Sequence, residues 1–419
     1  MSESSTLTRK QVVAWRNSIF VIFLLCGVAI ASWVSRLPAV RDSLGIRIDQ
    51  VGLLILGIAI GSIAGLVVSS HIVARLGARR TMMWGLIVAG VGLFVAGFGA
   101  TVGPVFGVTF IGLVIFGNAT GITDVAMNVS GAANERALGR SIMPIFHAFF
   151  SFGTMLGAGA GALAEFAGVP LVIHLGTVSV ILVIAGVFVI RFVQSEHDTH
   201  DGSDPVPEDD HSKTWRGRLA IWKDPRTILI GILVLGAAFA EGSAGDWLAI
   251  AMVDGHGTTN AVGALVFGVF VTAMTVGRLG GVVLLDRFGR VPVLRASFAL
   301  AAAGLLVMIF VPNPWVAAVG AVAWGLGSAL GFPIGMSAAA DDPRTAAARV
   351  SAVATIGYFA FLVGPPVIGF LGQHVGILNA LLVVLVLCAV GIFVAGAARE
   401  PAPSAKPVDT FADPGVPQP

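Results

Sequence analysis

Thr120, Asp124 and Asn128 recur every four residues, so on a helix they form a single polar stripe. The stripe stands inside a long apolar run, as do Glu241 and Asp246. An ionisable side chain in such a run costs about 3 kcal/mol unless it is paired or reaches a wet cavity, so each one asks for a task. A carboxylate shielded from water can take up and release a proton, and an imidazole beside it can exchange or tune that proton. His147 begins the next apolar run at a depth similar to that of Asp124. Asp124 with His147 is read as a proton site, the other reading being a static hydrogen-bonded pair between two helices. Glu241 is a second proton site or a solute-binding carboxylate, or else a helix–helix hydrogen bond. The residues suited to hold a solute are Asp124, Asn128, Glu241 and Asp246, with Trp33, Trp247 and Trp324 offering indole faces. Arg36 is expected either to meet Asp246 or to snorkel, and Arg278 to pair with Asp286.

Other chemistry is excluded by what those residues stand among. Cys26 and Cys388 both fall in apolar runs and are expected as buried thiols, with no cysteine–histidine cluster for a metal. No phosphate-cradling glycine–lysine loop occurs, so nucleotide hydrolysis is not the energy source. No serine–histidine or aspartate pair has the spacing of an intramembrane enzyme. Neither a cofactor nor nucleic-acid binding is expected; the partners expected are a small-molecule solute, protons and lipid, on a monomer.

The elements that must position these residues are membrane helices. The chain is 56% hydrophobic and 11% charged, where a soluble protein of 419 residues needs about a quarter charged. Apolar runs long enough to span a bilayer fall near 18–37, 50–72, 81–100, 105–130, 142–166 and 171–191, then near 226–250, 261–284, 292–311, 315–338, 350–371 and 376–397. The first run lacks a cleavage signature after it and is read as a retained span. Residues 194–225 are polar, acidic then basic, and read as a cytosolic linker that ends near Trp215 and Trp222; the proline-rich stretch from Glu400 reads as a disordered tail. With both termini inside, 21 of the 25 lysines and arginines fall on the inner side, among them Arg140 and Arg344; Arg36, Arg41 and Arg47 fall outside and Arg278 within a span. Basic residues collect on the cytoplasmic side of bacterial membranes, so this orientation is the consistent one. The units expected are therefore 1–17, a bundle at 18–193, the linker at 194–225, a second bundle at 226–398, and a tail at 399–419.

The two bundles repeat one another. Gly117 aligns with Gly325, Arg136 with Arg344, Gly161 with Gly369, and Arg75-Leu76-Gly77 with Arg287-Phe288-Gly289, at near-constant spacing. Parallel repeats of this kind place a site between two halves. Pro333 and Gly364-Pro365-Pro366 each predict a kink, as a hinge or as fixed shape.

Asp286-Arg287-Phe288-Gly289-Arg290, with Gly277-Arg278-Leu279-Gly280 before it, resembles the signature loop of the major facilitator superfamily. The matching first-half loop, Ala74 to Arg80, keeps Arg75, Gly77 and Arg79 but has Ala74 in place of the aspartate. Asp124 to Asn128, His147 to Gly153, and Ala240-Glu241-Gly242 with Asp246-Trp247 are similar to bacterial permeases near the fucose-permease branch. The resemblance implies an all-α integral membrane protein of twelve transmembrane helices, in two parallel six-helix pseudo-repeats with both termini cytoplasmic, in the bacterial plasma membrane. It implies that spans 1, 4, 7 and 10 line the cavity. It also implies gating by Arg75, Gly77, Arg79, Arg278, Asp286, Arg287, Gly289 and Arg290. The activity implied is secondary transport by alternating access, as proton-coupled symport of a polar solute such as a sugar. Two departures bear on the solute: span 1 lacks the acidic residue of a fucose permease, and the glycine-rich run from Gly153 to Gly161 loosely resembles an antiporter motif. Proton-antiport export of an amphiphile is thus the alternative.

Overall fold

The computed structural model describes residues 7–139, 142–194, 221–342 and 345–400, without the side chains of residues 282 and 347. Arg140, Arg344, Trp215 and Lys406, most of the linker and the tail beyond Glu400 lie outside the described residues. Before the linker come α1 (Arg9–Val34), α2 (Leu37–Leu44), α3 (Ile48–Thr101), α4 (Phe106–Leu138), α5 (Met143–Phe166) and α6 (Leu171–Val189). After it come α7 (Pro225–Ile250), α8 (Asn260–Phe288), α9 (Arg290–Phe310), α10 (Pro314–Ser328) and α11 (Gly331–Ala339). The last three are α12 (Ala346–Val375), α13 (Ile377–Ala380) and α14 (Leu382–Val394). Eleven helical runs among the described residues are long and apolar enough to cross a membrane, counting α10 with α11 and α13 with α14.

These helices are apolar on all sides. Phe393, Val319 and Ile184 stand exposed on the outside while Trp15, Phe23 and Phe116 fill the interior. A helix that is apolar all round needs lipid on the faces that protein does not cover.

The longest helix, α3, is two limbs. Gly77 inside it has φ 76° and ψ 155°, a conformation open to glycine and closed to other residues without strain. Neighbouring contacts show the reversal. Along the first limb Gly57, Gly61 and Gly65 meet α4 at Phe110, Val114 and Asn118 in rising order, whereas along the second limb Gly85, Gly92 and Gly99 meet Thr123, Phe116 and Thr109 in falling order. Gly289, with φ 73° and ψ 172°, makes the same turn between α8 and α9. The two signature glycines therefore occupy equivalent backbone bends.

Before the linker, α3 packs on α4 and α6, and α1 on α5; after it, α7 packs on α12 and α14, and α9 on α10 and α14. The two groups meet mainly through α3 against α12 and α5 against α8, with α2 touching α7 and α8. The glycines make the closest seams: a Cβ on Gly153 would lie 2.1 Å from the Leu24 carbonyl oxygen, and one on Gly27 2.2 Å from that of Phe150.

Two expected kinks differ from each other. The run expected at 315–338 breaks at Ala329–Leu330, and Pro333 sits in the first turn of α11, where its missing N–H costs nothing. Pro365 and Pro366 instead lie inside the continuous α12, where Gly52 of α3 packs on the Pro365 carbonyl.

At the end of the molecule that holds both described chain ends, Asp224 caps α7. Its carboxylate accepts the backbone N–H groups of Arg226 and Thr227 and the Thr227 hydroxyl, and pairs with Arg349 of α12 at 3.0 Å. Burial pushes this carboxyl up, but the Thr227 hydrogen bond and the Arg349 charge outweigh it and hold the group below the ordinary aspartate value. A depressed folded value contributes stability at neutral pH that is lost as pH falls through it. Asp224→Ala is expected to cost about 1 kcal/mol of stability, the usual worth of such a cap. Thermal unfolding should show that deficit at pH 7 and a smaller one as the pH approaches the acid range.

Candidate functional site

Two spaces open along the seam between the helix groups. The central cavity, of about 400 Å³, is lined from α1, α2, the first limb of α3, α5, α7, α8 and α12. A second space of about 770 Å³ lies at the end bearing the chain ends, between α5, α8 and α11. Ser151 and Arg278 line both, so the two spaces adjoin at these residues.

Three of the sequence-predicted residues on α7 and α1 line the central cavity: Glu241, Asp246 and Trp33. Glu241 accepts a hydrogen bond from Arg278 Nη2 at 2.8 Å. The expected Arg278–Asp286 pair does not form. Eight residues separate the two along α8, about 12 Å of rise, whereas Glu241 stands across from Arg278 on the adjoining helix. Asp286 is exposed at the rim of the second space, without an ion pair to any described residue. Asp246 faces the cavity with no hydrogen-bond or ion-pair partner among the described residues. Arg36 does not meet Asp246; it is buried against Glu165 of α5 at 2.8 Å and donates to the Val169 carbonyl at 2.9 Å.

Trp247 and Trp324 lie outside the cavity lining, both fully buried. Asp246 and Trp247 are consecutive on one helix, so when the first faces the cavity the second turns to the α12 seam, where it packs on Gly369. Trp324 is drawn behind Phe270, its ring edge-on at 5.4 Å, because Gly304 and Gly325 let α10 sit tightly on α9 and α8. The expectation that spans 1, 4, 7 and 10 line the cavity therefore changes: α4 and α10 are absent from the lining, while the first limb of α3, α5, α8 and α12 contribute.

The stripe on α4 forms as a stripe. Asn128 donates to the Asp124 carbonyl at 2.8 Å and to its carboxylate at 3.3 Å, and Thr120 turns its hydroxyl back to the Phe116 and Gly117 carbonyls. Asp124 is exposed and lines neither space, within electrostatic reach of Cys26 on α1 and Tyr358 on α12. No hydrogen bond joins it to His147. That imidazole lies edge-on to Phe23 and lines the second space with Arg278, because α5 packs on α1 and α8 far more than on α4.

The signature residues settle around the two glycine turns. Arg79 donates to the Arg191 carbonyl at 3.3 Å, and Arg287 lies over the Phe288 ring. Arg290 pairs with Asp341 at 2.7 Å, while Arg75 is exposed. Sequence reasoning missed Asp341 and Tyr358. The second is the chain's single tyrosine, which was the available signal. Cys26 and Cys388 are buried and free, and no metal-ligating cluster occurs among the described residues.

The model of the Major Facilitator Superfamily matches residues 18–281 and 243–417. The chain belongs to that superfamily. Members of the superfamily are transporters of small molecules across membranes, not enzymes. Among its relatives, an uncharacterized MFS-type transporter of Yersinia pestis is 29% identical over 86% of this chain and 90% of its own length. The uncharacterized transporter y4wD of Sinorhizobium fredii is 30% identical over 87% and 93%. The membrane protein MosC of Rhizobium meliloti is 28% identical over 89% and 86%. Among solved structures, a mutant of the nucleoside transporter NupG superposes with a TM-score of 0.71 at 16% identity, covering 93% of this chain and 98% of that one. The E. coli fucose:proton symporter FucP superposes at 0.60 and 16%, covering 94% and 100%. These likenesses establish a superfamily fold and carry no substrate with them.

Proposed function

We propose that this facilitator is a proton-coupled secondary transporter of the bacterial plasma membrane, moving one small solute through the central cavity by alternating access. In this reading twelve crossings form two six-helix halves, 18–193 and 226–398, with both termini in the cytoplasm. The two limbs of α3 supply the crossing that the eleven runs leave out.

The observation that carries the reading is the distribution of contacts between the halves. At the far end Arg41 pairs with Asp254, Asn260 donates to Asp42 at 3.0 Å, and the Ile48 N–H donates to Gln373 at 3.2 Å, each joining one half to the other. At the end bearing the chain ends, the described ion pairs Arg226–Asp341, Arg290–Asp341 and Arg349–Asp224 all join helices of the second half. This distribution supports an inward-facing reading, in which the cavity is closed on the outer side and adjoins the larger space on the cytoplasmic side. Glu241 with Arg278 supports proton coupling, because protonating the carboxylate would free a guanidinium at the junction of the two spaces. Asp124, exposed and within electrostatic reach of Tyr358 on the cavity lining, serves as the second proton site. His147 tunes the same junction through its nearness to Arg278.

Of the two solutes expected, the lining favours an amphiphile over a sugar. Phe150, Phe267, Phe361 and Met274 join aliphatic residues of α1 and α3 along it, while several of its polar groups are already engaged: Ser62 donates to the Gly117 carbonyl, Thr154 to the Ser151 carbonyl, and Arg278 to Glu241. The test is flux in proteoliposomes under an imposed pH gradient, in both directions, with sugars and amphiphiles as solutes. Wild-type flux should follow the gradient, and Asp124→Asn should lose that dependence. Gradient-driven flux unchanged in the variant would remove Asp124 from the proton site, and flux indifferent to the gradient in the wild type would end proton coupling.

A further inference from the structure

We propose that the solute is a monovalent organic cation with an apolar body, and that Asp246 is its counter-ion in the central cavity. The inference rests on the transport reading above and names the chemistry of its cargo.

It follows from a charge count around the cavity. Glu241 and Arg278 neutralise one another at 2.8 Å. Asp246 then stands as the one lining charge with no partner among the described residues. The remaining titratable group on the lining is the Tyr358 hydroxyl on α12, and α1, α3 and α5 present no charged side chain to this space. The arginines that could approach from the far end are committed elsewhere, Arg36 to Glu165 and Arg41 to Asp254. His147 of α5 opens to the other space.

A carboxylate without a protein cation, on a largely apolar wall, is stabilised by a proton or by a bound cation. The walls say what body that cation has. Trp33 lines the same cavity, and its buried indole N–H has no acceptor among the described residues. Phe150 and Phe361, both partly exposed on the lining, add aromatic rings, which attract a cation and accept an apolar skeleton. A polyhydroxylated solute would meet Ser62 and Thr154 with their hydroxyls already turned to backbone carbonyls, and an anionic one would face Asp246 with Arg278, the cationic side chain on the described lining, already paired. Proton and cation compete for one carboxylate, so occupancy by one excludes the other.

The test is equilibrium binding to the purified full chain, with no gradient present. Three permanent cations serve as probes: tetramethylammonium, 1-methyl-4-phenylpyridinium and tetraphenylphosphonium. Biphenyl-4-carboxylate and phenyl glucoside serve as the anionic and hydroxylated competitors. At pH 8 at least one cation should bind, neither competitor should displace it, and acidification should weaken it. Asp246→Asn should weaken binding tenfold or more, and Asp246→Glu should retain it; the second variant and the acid titration decide the matter if the first fails to fold. Absence of binding by all three cations, displacement by the glucoside, or undiminished binding to Asp246→Asn would overturn the proposal. Because no flux is measured, these failures leave proton-coupled transport standing, and a failure of gradient-driven flux leaves the binding result standing.

Discussion

Replacing Glu241 by glutamine should cut gradient-driven flux about tenfold or more, equivalent to ~1.4 kcal/mol of barrier. Glutamine keeps the shape and a hydrogen bond to Arg278 but removes the charge that the guanidinium at 2.8 Å answers. Both side chains are about 30% exposed, so the pair is screened, and the expected loss of stability is only about 1 kcal/mol. Arg278→Ala should be as damaging to flux, because it leaves the carboxylate without its cation beside the unpaired Asp246. The double variant tests whether the two act as a pair. Its stability should exceed the sum expected from the singles, since removing both charges strands neither. Additive effects in that cycle would show that the two charges do not act as a pair, and full gradient-driven flux in Glu241→Gln would show that the ion pair only braces α7 against α8.

The second large effect concerns stability and not charge. Gly153→Leu should destabilise the protein by about 3 kcal/mol or more, the upper range for overpacking a tight seam. At this seam α1 and α5 touch backbone to backbone: the added Cβ would meet the Leu24 carbonyl oxygen at 2.1 Å, and Gly27 makes the reciprocal contact with Phe150. A backbone atom cannot step aside as a side-chain tip can, so the helices must separate. Trp33 on α1 and Thr154 on α5 line the same cavity, and its shape would change with them. Gly159→Leu is the control, because nothing lies within 4 Å of the Cβ that would be added there. Thermal unfolding in detergent should lower the midpoint for the first variant and leave the second near wild type. Equal midpoints would mean that the α1–α5 seam relaxes without cost.

The contrast between these two predictions mirrors what the sequence could and could not convey. Apolar length located the helices, because a bilayer demands it of any crossing segment. The glycine turns at Gly77 and Gly289 were legible too, since a signature loop with one fixed glycine has few backbone solutions. Which neighbour a charged side chain would choose was not legible. Arg278 and Asp286 share a helix and a motif, yet Arg278 turns to Glu241 on a different helix; Arg36 turns to Glu165 and not to the nearer-seeming Asp246. Such choices depend on helix rotation, and a helix apolar on every face gives no periodicity from which to read rotation. Trp324 shows the same limit. Only the packing of Gly304 and Gly325 determines that it sits behind Phe270 instead of on the central cavity.

Asp341 carries a mechanical consequence. Its nearly buried carboxylate holds Arg226 of α7 at 2.8 Å and Arg290 of α9 at 2.7 Å, from the segment that follows α11. Three helix ends are thereby riveted at one point. Under the proposed transport cycle, a torque applied to α7 at its cavity face would reach α9 and α11 together, and the end of this half that bears the chain end would swing as one lever arm. In that cycle the central cavity and the edge that must travel are two arms of the same crank, with Asp341 as its pin.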